Sequence, residues 1–437
     1  MTDPAPETIF ALGAGVGKTA IAVIRLSGPL TAGVVQKMAG VLPPPRQAHY
    51  AALRAPEDGE LLDRCIVLYF PAPATPTGED YAELQIHGGR AVVDGVLATL
   101  SRQAGLRVAE AGEFVRRGFA NGKLDLSQAE ALADLIEAQT QAQRRQALRV
   151  AGGALRRKVE DWRSALIEGL ALVEAELDFS DEADVSDFDR RRLEELLAPI
   201  CTEMSAALND NPASERMRDG FRVMILGPPN AGKSTLINAL TRRDLAIVSP
   251  HAGTTRDMIE AHLDIEGLPV TVIDTAGLRE AVDEIEKIGV DRVFDRVSDA
   301  DLAIWLTADG ASPPPAVVEE TEVLRVASKC DLVAPPPGWL GLCAPSGEGL
   351  PALIAEISTR ARAQLGDGDT ALFARARHRE ATQMAFDALS LALSPKKPLE
   401  LIAEDMRQAS RALGRIVGAV DVEDILDAVF SRFCIGK

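Results

Sequence analysis

The stretch that most constrains this chain is Gly227-Pro228-Pro229-Asn230-Ala231-Gly232-Lys233-Ser234-Thr235, which fits the pattern G-x-x-x-x-G-K-[ST]. Arg222-Val223-Met224-Ile225-Leu226 precedes it as a buried strand, and Leu236-Ile237-Asn238-Ala239-Leu240 follows as the first turns of a helix. That order suits a phosphate cradle. Backbone N–H groups in a glycine-permitted turn face an anion, and the helix N-terminus adds the positive end of its dipole. Lys233 is expected to reach the outer phosphates and Ser234 to hold Mg²⁺, with Asn230, Ala231, Gly232 and Thr235 completing the nucleotide contacts.

A chain of 437 residues exceeds what one core can organise, so two to four domains are expected. A net charge of −18 excludes a protein that wraps nucleic acid over its whole surface, although a local basic face is compatible with it. Five cysteines without C-x-x-C spacing indicate neither a zinc site nor a disulfide framework, and they fit a reducing compartment. Neither a signal peptide nor an apolar run long enough to span a bilayer is visible, which reads as a cytoplasmic protein with no membrane partner.

Residues 9–118 mix short apolar or alternating runs (20–26, 65–70, 82–86) with a helix-like stretch at 91–103, as in a small α+β domain. Within it, Gly13-Ala14-Gly15-Val16-Gly17-Lys18-Thr19 imitates a phosphate loop. Leu12 stands where the first glycine belongs and no apolar strand is expected to lead in, so it reads as a decoy. From 126 to 217 the composition turns to Ala, Leu, Glu, Gln and Arg. Long amphipathic helices are predicted there, the first opened by a capping box of Ser127 and Glu130, with an acidic solvated turn at 178–189. Helical texture returns from 372 to 433. The expected fold class is therefore multidomain α/β and α: an N-terminal α+β domain (1–119), a discontinuous helical domain (120–217 and 368–437) and an inserted Ras-like P-loop G domain (218–367).

In the middle domain, Gly253-Thr254-Thr255-Arg256-Asp257 offers threonine hydroxyls for the nucleotide, with Thr255 assigned to Mg²⁺. Val270-Thr271-Val272-Ile273-Asp274-Thr275-Ala276-Gly277 reads as an alternating strand ending in a carboxylate that supports Mg²⁺, and Gly277 lets its N–H approach a γ-phosphate. Ser328-Lys329-Cys330-Asp331 resembles the N-K-x-D element of GTPases, in which the aspartate accepts from the ring N–H and amino group of guanine. Adenine has no such pair of donors. Ser328 replaces the usual asparagine, losing an amide donor, and Cys343-Ala344-Pro345-Ser346-Gly347 stands where a base-stacking loop belongs. Leu278 occupies the position from which a glutamine orients water in Ras-like enzymes, so another group must do so, and another cation must replace an arginine finger. The adjoining charged segment, with Glu286, reads by composition as a solvated helix face.

Taken together, Pro229-Asn230-Ala231-Gly232-Lys233-Ser234, Ala252-Gly253-Thr254-Thr255-Arg256-Asp257, Asp274-Thr275-Ala276-Gly277-Leu278-Arg279-Glu280 and the ending Phe433-Cys434-Ile435-Gly436-Lys437 resemble the MnmE (TrmE) family of tRNA modification GTPases. The likeness extends through Ile24-Arg25-Leu26-Ser27-Gly28, Gly78-Glu79-Asp80 with Glu83, His87-Gly88-Gly89 and Asn121-Gly122-Lys123-Leu124-Asp125-Leu126. It implies a folate-binding, dimer-forming first domain and potassium-dependent GTP hydrolysis when the G domains of a homodimer meet. It also implies an FAD-dependent partner (GidA, or MnmG) with which a carboxymethylaminomethyl or aminomethyl group is placed at C5 of the wobble uridine of tRNA. By position, Asn230, Ser249, His251 and Thr254 would hold K⁺, Glu286 would orient water, and Arg25, Glu83, Lys123 and Lys437 would contact a tetrahydrofolate derivative. Cys434 would be a reactive thiol or an inert small apolar residue. A GTP-regulated assembly factor for ribosomes or another RNA particle is the alternative function.

Overall fold

In the first part of the chain apolar side chains recur at every second position, and an antiparallel sheet forms there. Its strands are β1 (Thr8–Ala14), β2 (Ile21–Ser27), β3 (His49–Arg54), β4 (Leu61–Phe70), β5 (Tyr81–His87) and β6 (Leu106–Val108), in the order β3-β4-β5-β2-β1-β6. All pairings are antiparallel except β1 with β6. Ala22, Ile24, Leu26, Leu53, Val67, Leu84 and Ile86 point to one face. Helices α1 (Thr31–Ala39) and α2 (Arg90–Ser101) cover that face with Val34, Val35, Met38, Val93, Val96 and Leu100. On the other face Ile9, Ala11 and Tyr81 pack against Phe114 of α3 (Glu113–Ala120).

The computed structural model describes residues 7–14, 17–179, 190–242, 259–274, 300–313, 319, 321–366, 372–420, 426, 429–431, 433 and 436. These belong to two compact units, 1–133 with 413–437, and 134–412. In the first unit the end of the chain returns to the beginning: Phe430 and Phe433 pack with Ala129, Ala133, Val115 and Phe119.

Two local expectations need correction. The helix α4 (Leu126–Glu137) is capped earlier than the sequence suggests, at Asp125. Asp125 Oδ1 accepts from the Gln128 amide at 2.9 Å while Gln128 Oε1 accepts from the Asp125 amide at 3.0 Å. Ser127 and Glu130 lie buried inside the helix instead. An aspartate is as good a cap as a serine, and the reciprocal glutamine three positions on decides between them. The decoy loop does have a strand leading into it, namely β1. The next element, however, is the antiparallel partner β2, so the loop closes a hairpin and presents no helix N-terminus.

The second unit holds α5 (Gln141–Ala151), α6 (Ala154–Phe179), α7 (Arg190–Asp219), α10 (Ala376–Ala392) and most of α11 (Leu399–Val417). Between α7 and α10 lies a sheet flanked by α8 (Lys233–Arg242) and α9 (Leu350–Leu365). Trp162 of α6 is the pivot of the helical part: its ring stacks on Phe373 at 5.6 Å and its Nε1 donates to Glu203 of α7 at 2.8 Å. Lys158 donates to the same carboxylate at 2.6 Å, and with the indole N–H it holds Glu203 below the usual carboxylate range.

One buried charge network ties the first unit together. Glu113, only 2% exposed, accepts from Arg107 at 2.6 and 2.8 Å and from Arg117 at 3.0 Å, and Arg117 continues to Glu79 at 2.9 Å. Burial would raise the Glu113 pKa, but the Arg107 hydrogen bonds, the Glu110 amide and Arg117 overcome it and hold the group at about 2. Its folded value is depressed from 4.5, so its contribution is present above pH 4.5 and is lost as pH falls toward 2. Removing one partner of such a buried pair costs about 3–5 kcal/mol. Glu113→Gln should lower the melting temperature at neutral pH, and the gap to wild type should shrink between pH 4.5 and 2; a constant gap would rule out this origin.

Candidate nucleotide site

The second sheet runs β12 (Leu340–Leu342), β11 (Val323–Ser328), β10 (Leu302–Thr307), β7 (Phe221–Leu226), β9 (Leu268–Asp274), β8 (Ile259–Ile265) in spatial order. Five strands are parallel, and β8 is the antiparallel edge. From β7 the chain goes first to one side, to β8 and β9, and then crosses to β10 on the other. The carboxyl end of β7 is therefore a topological switch point, where open α/β sheets bind ligands. The phosphate loop leaves β7 there and enters α8. Sequence alternation predicted for 270–274 is not a feature of β9: Val270, Thr271, Val272 and Ile273 are all buried, since a strand inside a parallel sheet is covered on both faces.

Gly227 has φ 147°, and a Cβ built on it would lie 2.0 Å from the Leu306 carbonyl oxygen of β10. Only glycine permits that approach. Asn230 takes the left-handed conformation at φ 60°, with its side chain exposed, and Gly232 has φ 97°. Lys233 is 8% exposed, and its Nζ donates to the carbonyl oxygens of Gly227 (2.8 Å) and Pro228 (3.0 Å), so the ammonium lies across the loop. Ala231 is buried, whereas Ser234 and Thr235 lie on the first turn of α8 and are exposed. Asp274 closes β9 opposite Ile225, one strand from the loop.

The base-reading segment follows β11 at the same sheet edge. Lys329 is left-handed (φ 57°), and its carbonyl accepts from the Leu332 and Val333 amides at 2.9 and 3.2 Å, which exposes Asp331 on the turn. Ser328 is 7% exposed, and among the described residues its Oγ has no hydrogen-bond partner. A buried orphan hydroxyl costs about 1–3 kcal/mol, which a ligand acceptor or donor would recover. The phosphate cradle that a Cβ would fill and this orphan hydroxyl both fit a nucleotide.

In the first unit Arg25 and Glu83 meet across β2 and β5 at 3.6 Å, and Arg25 donates to the Gly436 carbonyl at 3.2 Å. The buried Nε of Arg25 has no hydrogen-bond partner among the described residues. Lys123 is exposed and lies beside Gly78, where its Cε would be 2.9 Å from a Cβ built on that glycine. Ser249, His251, Thr254, Thr255, Gly277, Glu286, Cys434 and Lys437 lie outside the described residues.

Sequence reasoning missed the pairing of Gly227 with Leu306 and the chain-end contact of Gly436 with Arg25. The signal in the sequence was glycine itself, at the head of the phosphate-loop pattern for Gly227 and one residue before the last residue for Gly436, but neither names the strand or side chain it meets. Gly227→Ala should displace the loop by roughly an ångström and cost about a hundredfold in GTP affinity, read by titration with a fluorescent GTP analogue. Wild-type affinity in a folded variant would disprove the constraint.

Comparison with known proteins completes the picture of the site. A family model described as the MnmE helical domain matches residues 126–434, and one for the GTP-binding protein TrmE N-terminus matches residues 8–123. The chain is 49% identical to tRNA modification GTPase MnmE of Beijerinckia indica subsp. indica over 99% of its own length and 96% of that protein. It is 49% identical to the protein of that name from Rhodopseudomonas palustris, covering 99% of this chain and 100% of the other. With that from Methylorubrum populi the identity is 50% over the whole of both chains.

Proposed function

The chain belongs to the MnmE family of tRNA modification GTPases, and from that premise we propose that its GTP hydrolysis is potassium-activated and serves carboxymethylaminomethyl modification at C5 of the tRNA wobble uridine. The observation that carries this reading is the convergence at one sheet edge of the Gly227-to-Lys233 cradle, the end of β9 at Asp274 and the Asp331 turn. Asp331 selects guanine, and Lys233 swings from its carbonyl partners to the outer phosphates. Ser234 and Thr255 would hold Mg²⁺, which neutralises charge between the phosphates when bound.

Potassium would be held by Asn230, whose exposed carboxamide stands on a left-handed residue at the loop, with Ser249, His251 and Thr254. It supplies the positive charge that an arginine finger supplies elsewhere, while Glu286 orients the water. Arg25, Glu83, Lys123 and Lys437 would receive a tetrahydrofolate derivative. The Arg25 guanidinium, ion-paired with Glu83 at 3.6 Å, supports a ligand that carries both an acceptor and a donor at that point. A homodimer is supported by Tyr50 and Ile66, which lie opposite each other in register on β3 and β4 and are 66% and 39% exposed. An FAD-dependent protein of the GidA/MnmG type completes the reaction.

Two measurements test this reading. Mass spectrometry of tRNA nucleosides from a strain lacking the protein should show loss of the C5 wobble modification; intact wobble uridines would refute the proposed substrate. GTP turnover should be about tenfold or more faster in K⁺ than in Na⁺ at equal ionic strength, because a missing finger is worth about 10³–10⁵ in rate. Equal rates would remove Asn230 from its role.

A further inference from the structure

Two cysteines lie on the two segments assigned to the base. Cys330 stands between Lys329 and Asp331, and Cys343 opens the segment that runs to Gly347. The Cys330 amide donates to the Leu342 carbonyl at 3.3 Å, which sets Cys330 beside the Leu342–Cys343 peptide. Its side chain leans over β12, since a Cβ built on Gly341 would lie 3.3 Å from Cys330 Cβ. Gly341 and Cys343 are two residues apart on extended chain, so they face the same side. Both thiols therefore lie on that side, Cys343 buried and Cys330 half-buried, and both are free.

We propose that Cys330 and Cys343 form a reversible disulfide that distorts the base-reading turn and makes nucleotide binding sensitive to hydroperoxides. The functional part of this inference rests on the assignment of 328–331 and 343–347 to the base. The chemistry is a two-electron oxidation. A Cys330 thiolate attacks the peroxide oxygen, breaking the O–O bond to give a sulfenic acid and hydroxide, which is protonated to water. The Cys343 thiolate then attacks the Cys330 sulfur and displaces hydroxide, which also leaves as water. Two thiols and one hydrogen peroxide give one disulfide and two waters.

A disulfide draws Cβ atoms to about 3.8 Å. Fixing the two Cβ atoms at that spacing constrains the backbone between left-handed Lys329 and Asp331, whose turn is held by the Leu332 and Val333 amides on the Lys329 carbonyl. Burial, then the charges of Glu348, Cys343 and Asp331, push the Cys330 thiol up, so the oxidation accelerates as pH rises. Cys65 is pushed up to about 12 by burial and Asp63, which makes it a poor competitor for oxidant.

The test uses the full-length reduced protein, titrated with a fluorescent GTP analogue before and after treatment with hydrogen peroxide, then alkylated and digested with trypsin. Both thiols fall on one tryptic peptide, residues 330–360, so the bond reads as loss of two hydrogens and of both alkylation sites. The bond should form faster at about pH 9 than at about pH 7, lower affinity about tenfold, and yield to dithiothreitol with recovery of affinity. Cys330→Ser should abolish the peroxide response of the affinity. Two thiols that remain alkylatable, or a bond that forms while affinity holds, would overturn the proposal. Reduced protein unable to bind GTP would instead refute the base-reading assignment, and the peptide result would still decide whether the bond forms.

Discussion

The nucleotide half of this molecule depends on one close approach, that of Gly227 to the Leu306 carbonyl of β10. The chain crosses from β9 over β7 to β10, so a gap between the ends of β7 and β10 opens at the carboxyl edge of the sheet. The phosphate loop can sit in that gap only if its first residue has no side chain. The left-handed backbone at Asn230 and Gly232 then turns the loop so that α8 starts facing outward. Lys233 spans the loop by holding its carbonyl oxygens, which places the ammonium where phosphate oxygens are expected to compete for it.

The first unit is organised by charge rather than by a loop. Glu113 is buried with two arginines on it, and Arg117 extends the network to Glu79, which in turn accepts from Ser27 of β2 at 2.7 Å. The network links α3 to the sheet on the same side as Tyr81 and Phe114, whose rings meet edge to face at 6.3 Å. Buried charges of this kind cost desolvation that only multiple hydrogen bonds offset, so each member constrains the geometry of the others. That rigidity helps to fix β2, the strand that carries Arg25.

Much of this is legible in the residues. The phosphate loop announces its strand and helix because the motif combines a covalent requirement, glycine, with periodicity on both sides. Asp331 is proposed as the base reader because guanine and adenine differ in donors. Apolar spacing finds helix α4 but not its cap, since Asp125 with Gln128 and Ser127 with Glu130 satisfy the same local pattern. The reciprocal hydrogen bonds of Asp125 and Gln128 show which is at the boundary. Leu12 marks the imitation loop at Gly13 as false, yet the strand before it escapes notice, because a short run of Thr, Ile, Phe, Ala and Leu carries no period that separates it from a loop.

The sequence by itself determined the phosphate-loop pattern, the order of the elements and the family resemblance, and it supplied the proposal of a base-reading aspartate. These rest on residue types at fixed spacing, which chain connectivity preserves. The tertiary structure decided what meets what. It brought Arg25 beside Glu83 and the Gly436 carbonyl, left the Ser328 hydroxyl buried without a partner among the described residues, and set the Cys330 amide on the Leu342 carbonyl, next to the Leu342–Cys343 peptide. Those relations join residues far apart in the chain or on different strands, and strand order and register, which no local pattern encodes, determine them.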